Sequence, residues 1–319
     1  MLPYGSAWKP NHTFRIMTFP NFLIAGVAKA GTTSLYHYLQ QHPDIYLSHI
    51  KEPHFFAFKD QAVCFEGPGD NKKLNRTAVT NISHYRELFG PANGKKAVGE
   101  ASPLYMYYPE VPERIQQQIP DVKLIIILRN PVDRAYSSYL HLLRDGRESL
   151  SFEEALNAEE HRISQNWTPL WFYRSLGFYS VQIKRYYQKF TREQIKLFLY
   201  EDFSTSPMRL LQDIYCFLNI DPQFQPDLSQ VHNVSGVPQT RELHEFLTKP
   251  NGLKTIIRYT LPPKLRSYVQ TKLAQLRNRN LNKPTLAIET RHYLQEYFRE
   301  DILETQDLIE RDLTTWLKT

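Results

Sequence analysis

A lysine, two glycines and three hydroxyl residues follow the first apolar run of the chain. The stretch Gly26–Ser34 reads Gly-Val-Ala-Lys-Ala-Gly-Thr-Thr-Ser, and the apolar run Phe22–Ala25 directly precedes it. A strand that ends in such a loop can surround a phosphate with backbone N–H groups and with the positive end of the following helix, because glycine keeps the backbone bare. The pattern predicts a phosphate-binding loop that contains Lys29.

The position of that lysine separates the loop from those of nucleoside triphosphatases. In the pattern G-x-x-x-x-G-K-[ST] the lysine directly follows the second glycine and reaches the β- and γ-phosphates. Here Thr32 holds that place and Lys29 lies earlier in the loop. From there the ammonium can reach an atom that bridges a phosphate and the group attached to it. Taken alone, the loop also fits an ordinary tight turn between a strand and a helix.

An arginine and a serine form a second set. Lys123–Leu128 is typical of a buried strand, and Arg129 follows it at once, where a P-loop enzyme often carries an aspartate for Mg²⁺. Ser137 falls two turns into the next helix, so the guanidinium and the hydroxyl can bind a second phosphate together. Two phosphate sites without a metal-binding acid argue against ATP or GTP chemistry, and we expect no metal ion.

At these residues the chain resembles the sulfotransferases that use 3′-phosphoadenosine 5′-phosphosulfate (PAPS). The loop looks like that family's 5′-phosphosulfate loop, and Arg129 with Ser137 looks like its 3′-phosphate site. The segments Lys51–Phe56 and Gly99–Tyr105 are similar to the heparan-sulfate-type and related bacterial branch. The resemblance extends over residues 21–219, with the later part matching more loosely.

The resemblance implies that PAPS is the donor and that PAP, the nucleotide without its sulfuryl group, is the product. Lys29 would stabilise the charge that develops on the leaving 5′-phosphate. The residues that would bind the 5′ side are those of the loop, namely Lys29, Ala30, Gly31, Thr32, Thr33 and Ser34.

On the 3′ side the resemblance assigns the phosphate to Arg129 and Ser137. Tyr179 resembles the tyrosine of the family's Gly-x-Tyr helix start and would line the pocket, although a core tyrosine on an amphipathic helix fits the pattern too. Many sulfotransferases complete this site with a late Arg-Lys-Gly loop, which the sequence lacks. Thr240 and Arg241 are the candidates to replace it.

Transfer to an alcohol also needs a base for the acceptor's proton. Glu100 is the first choice, because it follows a predicted strand and resembles the glutamate base of the heparan-sulfate-type enzymes. His54 is the second, since cytosolic relatives use a histidine, and packing against Phe55 and Phe56 is its alternative. The candidates for contact with the acceptor are Lys51, Glu52 and His54, and Lys51 could instead contact the donor.

We expect the acceptor to be a hydroxyl of a carbohydrate or glycolipid, and a small-molecule or lipid alcohol stays open. A P-loop nucleotide kinase or NTPase and a non-catalytic glycan binder are the rival classes. The segment from Phe246 to Ile288 contains lysines and arginines but no acidic residue. It could contact an anionic glycan or membrane surface, or pair with the acidic tail. Nucleic acid is not expected, because no recognised binding motif accompanies the charge.

The elements that position these residues follow from alternating apolar runs and amphipathic stretches. They predict an α/β fold of the P-loop-type three-layer kind, with a central mostly parallel sheet and a helical C-terminal extension. In such sheets ligands bind beyond the carboxyl ends of the strands, where the loop, Glu100, Arg129 and Glu201 would gather. Strands are predicted near Phe22–Val27, Ile45–Leu47, Lys96–Gly99, Lys123–Leu128 and Ile195–Tyr200. Helices are predicted near Thr32–Gln41, Val111–Gln118, Val132–Arg144, Phe152–Arg162, Tyr179–Phe190 and Met208–Leu218.

Length and composition fit one folded enzyme domain. The chain has 319 residues, of which 41% are hydrophobic and 23% charged, with a net charge of +6 that suits a polyanionic donor. We expect an N-terminal extension (1–20), a PAPS-binding α/β core (21–220) and a mostly helical C-terminal part (221–319). Because no apolar run of leader or membrane-span length occurs, we expect a soluble, cytoplasmic protein, and its oligomeric state stays open.

Overall fold

The core of the chain is a five-stranded parallel sheet. The computed structural model describes residues 19–229, 236–240, 246–247, 280–282 and 284–318, together with residues 262, 265, 269, 273 and 276. The strands are β1 (Phe22–Ile24), β2 (Ile45–Leu47), β3 (Ala97–Ala101), β4 (Lys123–Leu128) and β5 (Ile195–Leu199). Their order across the sheet is β2-β3-β1-β4-β5, and every neighbouring pair is parallel. All five predicted strands are confirmed.

Burial explains why these runs form strands. The central strands are covered on both faces, so they read as continuous apolar stretches rather than alternating ones. Ile125, Ile126 and Ile127 of β4 are fully buried, as are all three residues of β1. Because the strands are parallel, all of their carboxyl ends lie at one edge of the sheet, and the segments that follow them meet there.

Helices cover the sheet at the places that the sequence predicts. Only the predicted helix Phe152–Arg162 differs, since the structure divides it at Ala158, where one helix ends and the next begins. Within residues 19–229 and 284–318 the helices are α1 (Thr32–Leu39), α2 (Phe55–Phe58), α3 (Leu74–Thr77), α4 (Ile82–Glu87), α5 (Val111–Gln118), α6 (Pro131–Arg144), α7 (Phe152–Asn157), α8 (Glu159–Ser164), α9 (Tyr179–Tyr187), α10 (Tyr200–Thr205), α11 (Pro207–Leu218) and α12 (Ile288–Ile309). Short 3₁₀ turns occupy Asp70–Lys72, Pro103–Met106, Pro169–Trp171, Ser175–Gly177, Arg192–Gln194 and Thr314–Leu317.

The C-terminal helix α12 packs on the sheet's helical layer. Asp301 of α12 accepts hydrogen bonds from the backbone N–H of Tyr179 (2.8 Å) and Ser180 (3.0 Å), at the first turn of α9. Leu294 and Phe298 of the same helix are fully buried. The predicted helical extension is thus present in this part, while the basic segment lies mostly outside the described residues.

Two short strands form a second sheet that the sequence pattern does not predict. Val237–Pro238 (β6) pairs antiparallel with Leu281–Asn282 (β7). None of the helices in the described ranges combines the length and the apolar content needed to cross a bilayer.

Candidate active site

A cavity of about 870 Å³ opens at the carboxyl edge of the sheet. Segments that follow each of the five strands contribute to its wall. They supply Lys29 after β1, Lys51 after β2, Pro103 after β3, Arg129 after β4 and Tyr200 after β5. Of the residues predicted to gather at this edge, the loop and Arg129 line the cavity, whereas Glu100 and Glu201 do not.

Two glycines allow the loop after β1 to take its shape. A Cβ at Gly26 would lie 2.4 Å from the backbone nitrogen of Ile127, so only glycine lets β1 and β4 approach this closely. Gly31 is the N-cap of α1 with φ 88°, in the left-handed region that favours glycine. The first turn of α1 follows at once, and Thr32, Thr33 and Ser34 line the cavity. Helix N–H groups without intrahelical partners and three hydroxyls thus lie at the same place.

Arg129 fixes the backbone of the loop at Lys29. Its Nη1 donates to the backbone carbonyl of Lys29 (2.7 Å), and its guanidinium lies over the ring of Tyr200 at 4.6 Å. The carbonyl of Arg129 in turn accepts a hydrogen bond from the Tyr179 hydroxyl (2.8 Å). The two cations predicted for the two phosphates therefore lie side by side in one wall.

The Lys29 ammonium is destabilised in the donor-free protein. Burial lowers the pKa of Lys29, and the neighbouring charges of Arg144 and Arg129 lower it further, to about 7. Glu52 and Asp145 act in the opposite direction. A lysine surrounded by other cations in a cavity is suited to an anionic ligand, because such a ligand would restore the favourable balance.

Helix α6 supplies two residues to the cavity wall. Ser137 is buried there, as predicted, and His141 lies one turn further along the same face. Burial lowers the pKa of the His141 imidazole well below its usual value, and the charge of Lys29 adds to the shift. The sequence analysis missed His141, although the spacing of four residues from Ser137 on a predicted helix could have identified it.

The segment after β2 brings Lys51, Glu52 and His54 into the wall. Lys51 and Glu52 form an ion pair, and Nε2 of His54 lies 3.8 Å from Oε2 of Glu52. Burial raises the pKa of Glu52, but the charge of Lys51 and the nearby imidazole of His54 outweigh it and hold that pKa well below its usual range. The side chain of Glu52 is 38% exposed. A charged carboxylate therefore faces the cavity beside Lys29.

Glu100 occupies a different place from the one predicted for a base. It has 0% exposure and lies beneath the cavity rather than in its wall. Its carboxylate accepts hydrogen bonds from the hydroxyls of Ser102 (2.7 Å), Tyr105 (2.7 Å) and Tyr85 (3.2 Å). Burial raises the pKa of Glu100 to about 7 despite these three hydrogen bonds. This placement corrects the expectation that Glu100 contacts the acceptor, since a general base must reach the proton that it removes.

Glu100 instead anchors the segment that carries the cavity residues. Ser102 Oγ, which donates to Glu100, accepts a hydrogen bond from the backbone N–H of His54 (3.0 Å). The hydroxyl of Tyr105 likewise accepts from the backbone N–H of Phe56 (3.3 Å). The three groups therefore tie the start of α2 to the end of β3, next to Glu52.

Other predicted donor-binding residues lie away from the wall. Tyr179 is fully buried and contacts Arg129 from behind, which corrects the expectation that it lines the pocket and supports its alternative as a core tyrosine. Ala30 is also buried, and its N–H donates to the Val27 carbonyl (3.2 Å). Thr240 is exposed and exchanges hydrogen bonds with Asn280. Arg241 lies outside the described residues.

An aromatic and aliphatic patch lines the cavity beyond Gly31, and the sequence analysis did not assign it. It consists of Tyr38, Tyr200, Phe203 and Leu228. The rings of Tyr38 and Phe203 are 6.0 Å apart, and a Cβ at Gly31 would lie 3.2 Å from Phe203. Tyr200 is the last residue of a predicted strand and Phe203 comes shortly after it, so their position at the ligand edge could have identified them.

Comparison with known proteins gives a consistent family. The family model described as "Sulfotransferase domain" matches residues 19–244. A crystal structure of a sulfotransferase from Alicyclobacillus acidocaldarius is 38% identical, with a TM-score of 0.73, and the match covers 94% of this chain and 99% of that one.

Two curated mouse (Mus musculus) proteins are more distant. Carbohydrate sulfotransferase 15 is 26% identical over 260 residues, which are 66% of this chain and 45% of that protein. Bifunctional heparan sulfate N-deacetylase/N-sulfotransferase 4 is 27% identical over 311 residues, which are 94% of this chain and 31% of that protein. The chain thus spans less than half the length of these curated relatives.

Proposed function

Because the chain belongs to the sulfotransferase domain family, we propose that it transfers a sulfuryl group from PAPS to a hydroxyl of a carbohydrate or glycolipid. The observation that carries this proposal is the pairing of Lys29 with Arg129 in one cavity wall, joined by a hydrogen bond of 2.7 Å. Two cations, a helix start and three hydroxyls suit a nucleotide that is phosphorylated at both ends.

The residues of the wall fit the donor part by part. Gly31 gives the backbone a shape that leaves the start of α1 open toward the 5′ groups. Arg129 and Ser137 would hold the 3′-phosphate. The ring of Tyr200 packs against the guanidinium of Arg129 and so fixes the orientation of the guanidinium. The patch of Tyr38, Phe203 and Leu228 offers apolar surface for the adenine base.

PAPS supplies an activated sulfuryl group whose release leaves a negative charge on the 5′-phosphate. Lys29 would stabilise this charge, and its partly desolvated ammonium is worth more there than in water. Arg129 fixes the backbone of Lys29 and so orients the side chain. The loop and the lysine thereby act at the point where the bond to the sulfuryl group breaks.

For the general base we propose Glu52 in place of Glu100. Glu52 lines the same cavity as Lys29, its carboxylate is charged, and its charge raises the pKa of Lys29. Lys51 and His54 hold the carboxylate in place. A hydroxyl that enters between Glu52 and Lys29 would lose its proton to Glu52 while its oxygen attacks the sulfuryl group.

The names of the curated relatives support a sugar acceptor, since they are a carbohydrate sulfotransferase and an enzyme of heparan sulfate. These relatives are longer proteins, so the acceptor of this chain is part of the proposal. Its hydroxyl would enter from the side of the cavity that Glu52 and His54 line.

A transfer assay with labelled PAPS tests the function. We expect Lys29→Ala to reduce turnover by roughly 10²-fold or more, because one donor to the developing charge is lost. PAP, which lacks the sulfuryl group, should still bind in calorimetry. Lys96→Ala is the matched control, since Lys96 is exposed and pairs with Asp44 away from the cavity. If PAP bound no more tightly than ADP, the donor site would be a different one and the proposal would fail.

A further inference from the structure

The cavity has a second half that the donor residues do not occupy. We call it the acceptor half. Its charged and polar side chains come from the segment after β2, the turns around α3, the loop after α6 and the loop after α8, and its apolar side chains come from four separate segments. Next to Glu52 and His54 its wall includes Lys51, Asp70, Lys73, Leu74, Leu104 and Arg147. The question is which chemical class of acceptor this surface fits.

The most buried charge of the acceptor half is already neutralised. Arg147 forms an ion pair with Asp70, and the two side chains are 8% and 1% exposed. Asp70 also accepts hydrogen bonds from the backbone N–H and the hydroxyl of Thr168, both at 3.0 Å. Arg147 donates its Nε–H to the carbonyl of Pro68 and lies over the ring of Trp171. Both groups are therefore engaged within the protein, and an acceptor anion would have to break the pair to use Arg147.

The remaining cations of this wall also touch carboxylates. Lys73 pairs with Asp145, and Lys51 pairs with Glu52. The other half, which we call the donor half, is lined by Lys29 and Arg129, and neither of them forms an ion pair with a carboxylate in the described part of the chain. The cavity thus has one half with excess positive charge and one half whose charges are matched. A carboxylate or sulfate on the acceptor would find no unmatched cation in the described wall of the second half.

Aliphatic side chains fill the space between these ion pairs. Leu104 is buried, and Ile50, Leu74 and Leu170 are half-buried against the core with an open side toward the cavity. Such a surface packs well against the apolar face of a sugar ring or against an alkyl chain. It gains little from a densely charged polymer, whose hydration would have to be removed.

Resting on the proposed sulfuryl transfer, we propose that the acceptor is an uncharged hydroxyl-bearing molecule with an apolar face, bound in the acceptor half. A neutral glycoside of a lipid and a long-chain alcohol share this chemistry. An acidic glycan does not, although one of the relatives is named for heparan sulfate. The paired charges then serve to shape the wall, and Glu52 is the group that meets the acceptor hydroxyl.

The test compares two acceptors that differ only in charge with a third that has no sugar ring. n-Octyl β-glucuronide and its uncharged primary amide carry the same ring hydroxyls and the same tail, and 1-octanol carries the tail alone. With labelled PAPS, we expect kcat/KM for the amide to exceed that for the glucuronide by roughly tenfold or more. Faster transfer to 1-octanol than to the amide would identify a lipid alcohol, and the opposite order a glycoside. A preference for the glucuronide would overturn the proposal.

A charge variant ties the preference to this wall. Leu74→Lys adds an unmatched cation to the acceptor half and should raise the glucuronide rate relative to the amide rate. Leu303→Lys, on the exposed face of α12, is the matched control and should leave the ratio unchanged. Transfer to none of the three acceptors while PAP still binds would refute this acceptor class and leave the donor site standing. Loss of PAP binding in the unaltered protein would refute the proposed function itself.

Discussion

At the scale of single residues, the site depends on how Lys29 and Glu52 share one cavity. The carboxylate keeps its charge because Lys51 and His54 outweigh its burial, and that charge supports the ammonium of Lys29. The guanidinium groups of Arg129 and Arg144 oppose it. In the donor-free protein the pKa of Lys29 is therefore about 7, so the amine and the ammonium are both present near neutral pH. A bound phosphate favours the ammonium.

The pKa of Lys29 predicts the alkaline side of the pH profile. In the donor-free protein the pKa is lowered to about 7, so the ammonium is present below that pH and lost above it. We expect kcat/KM for the donor to fall as the pH rises through about 7, since this parameter reports the free enzyme. Bound phosphates favour the ammonium, so kcat should persist to higher pH.

Lys29→Arg provides the control for this profile. Guanidinium keeps its proton throughout the accessible range, so the alkaline fall in kcat/KM should disappear even if the rate is lower. Steady-state rates between pH 5.5 and 9.5 with labelled PAPS measure both curves. An unchanged fall in the arginine variant would assign the ionisation to another group.

The role of Glu52 has its own test. Glu52→Gln keeps the size of the side chain and removes the base, so we expect kcat to drop by roughly 10²–10⁴-fold. PAP affinity in calorimetry should be unchanged or slightly higher, because a negative charge near the donor is removed. Glu100→Gln serves for comparison and should act mainly on stability, through the hydroxyls that it binds. A folded Glu100→Gln protein without turnover, beside an active Glu52→Gln protein, would return the base to Glu100.

At the scale of elements, the sequence predicts the strands of the sheet but not how deeply each side chain is buried. The apolar runs predict all five strands, most clearly β1, because a strand that is buried on both faces is continuously apolar. Glu100 lies within β3, whereas Glu52 lies in the segment after β2, and the hydroxyls of Tyr85 and Tyr105 bind Glu100 away from the cavity. Tyr85 comes from α4, and no local pattern in the sequence reports its contact with β3.

The same limit applies to Tyr179. The motif at the start of α9 resembles a donor-site motif, but the hydroxyl of Tyr179 donates to the backbone carbonyl of Arg129 and does not line the cavity. The partner that fixes the start of α9 is Asp301, which comes from α12 and therefore from a part of the chain beyond the matched family model. A contact between such distant elements is set by the tertiary fold alone.

A variant of Asp301 tests the contact between α12 and the start of α9. Its carboxylate accepts from the N–H groups of Tyr179 and Ser180 and from the Ser180 hydroxyl (2.6 Å). Asp301→Asn replaces one acceptor by a donor, so the start of α9 should shift and loosen the support of Arg129. We expect the affinity for PAP to fall several-fold while that for adenosine 5′-phosphate, which has no 3′ group, changes little.

The control for this variant is Asp307→Asn on the exposed side of the same helix. Calorimetry with both nucleotides gives the affinity ratio, which a general loss of stability would not alter in this direction. Equal losses for the two nucleotides would mean that Asp301 supports the fold but not the 3′-phosphate site.

At the scale of the whole molecule, the residues after α12 contact segments at the carboxyl edge of the sheet, where the donor would bind. Trp316 is buried, its indole N–H donates to Glu201 (3.0 Å), and its carbonyl accepts from Asn130 (3.3 Å), the neighbour of Arg129. Arg311 forms two hydrogen bonds with Asp202 in α10. Contacts of the residues that follow α12 therefore reach segments that follow β4 and β5.

These contacts predict that the donor nucleotide stabilises a helix that it does not touch. A ligand that binds only the folded state adds stability by mass action, and the gain extends to every element that must stay in place for binding. Saturating PAP should slow hydrogen exchange of the α12 amides, because opening this helix would release Asp301 from Tyr179 and so disturb Arg129. Adenosine 5′-phosphate at matched saturation should also slow hydrogen exchange in α1. It should slow exchange in α12 less than PAP does, since it has no 3′-phosphate to contact Arg129. Protection confined to the loop and α1 with both nucleotides would show that the C-terminal helix is energetically separate from the donor site, and the chain of contacts from Asp301 to Arg129 would then carry no coupling.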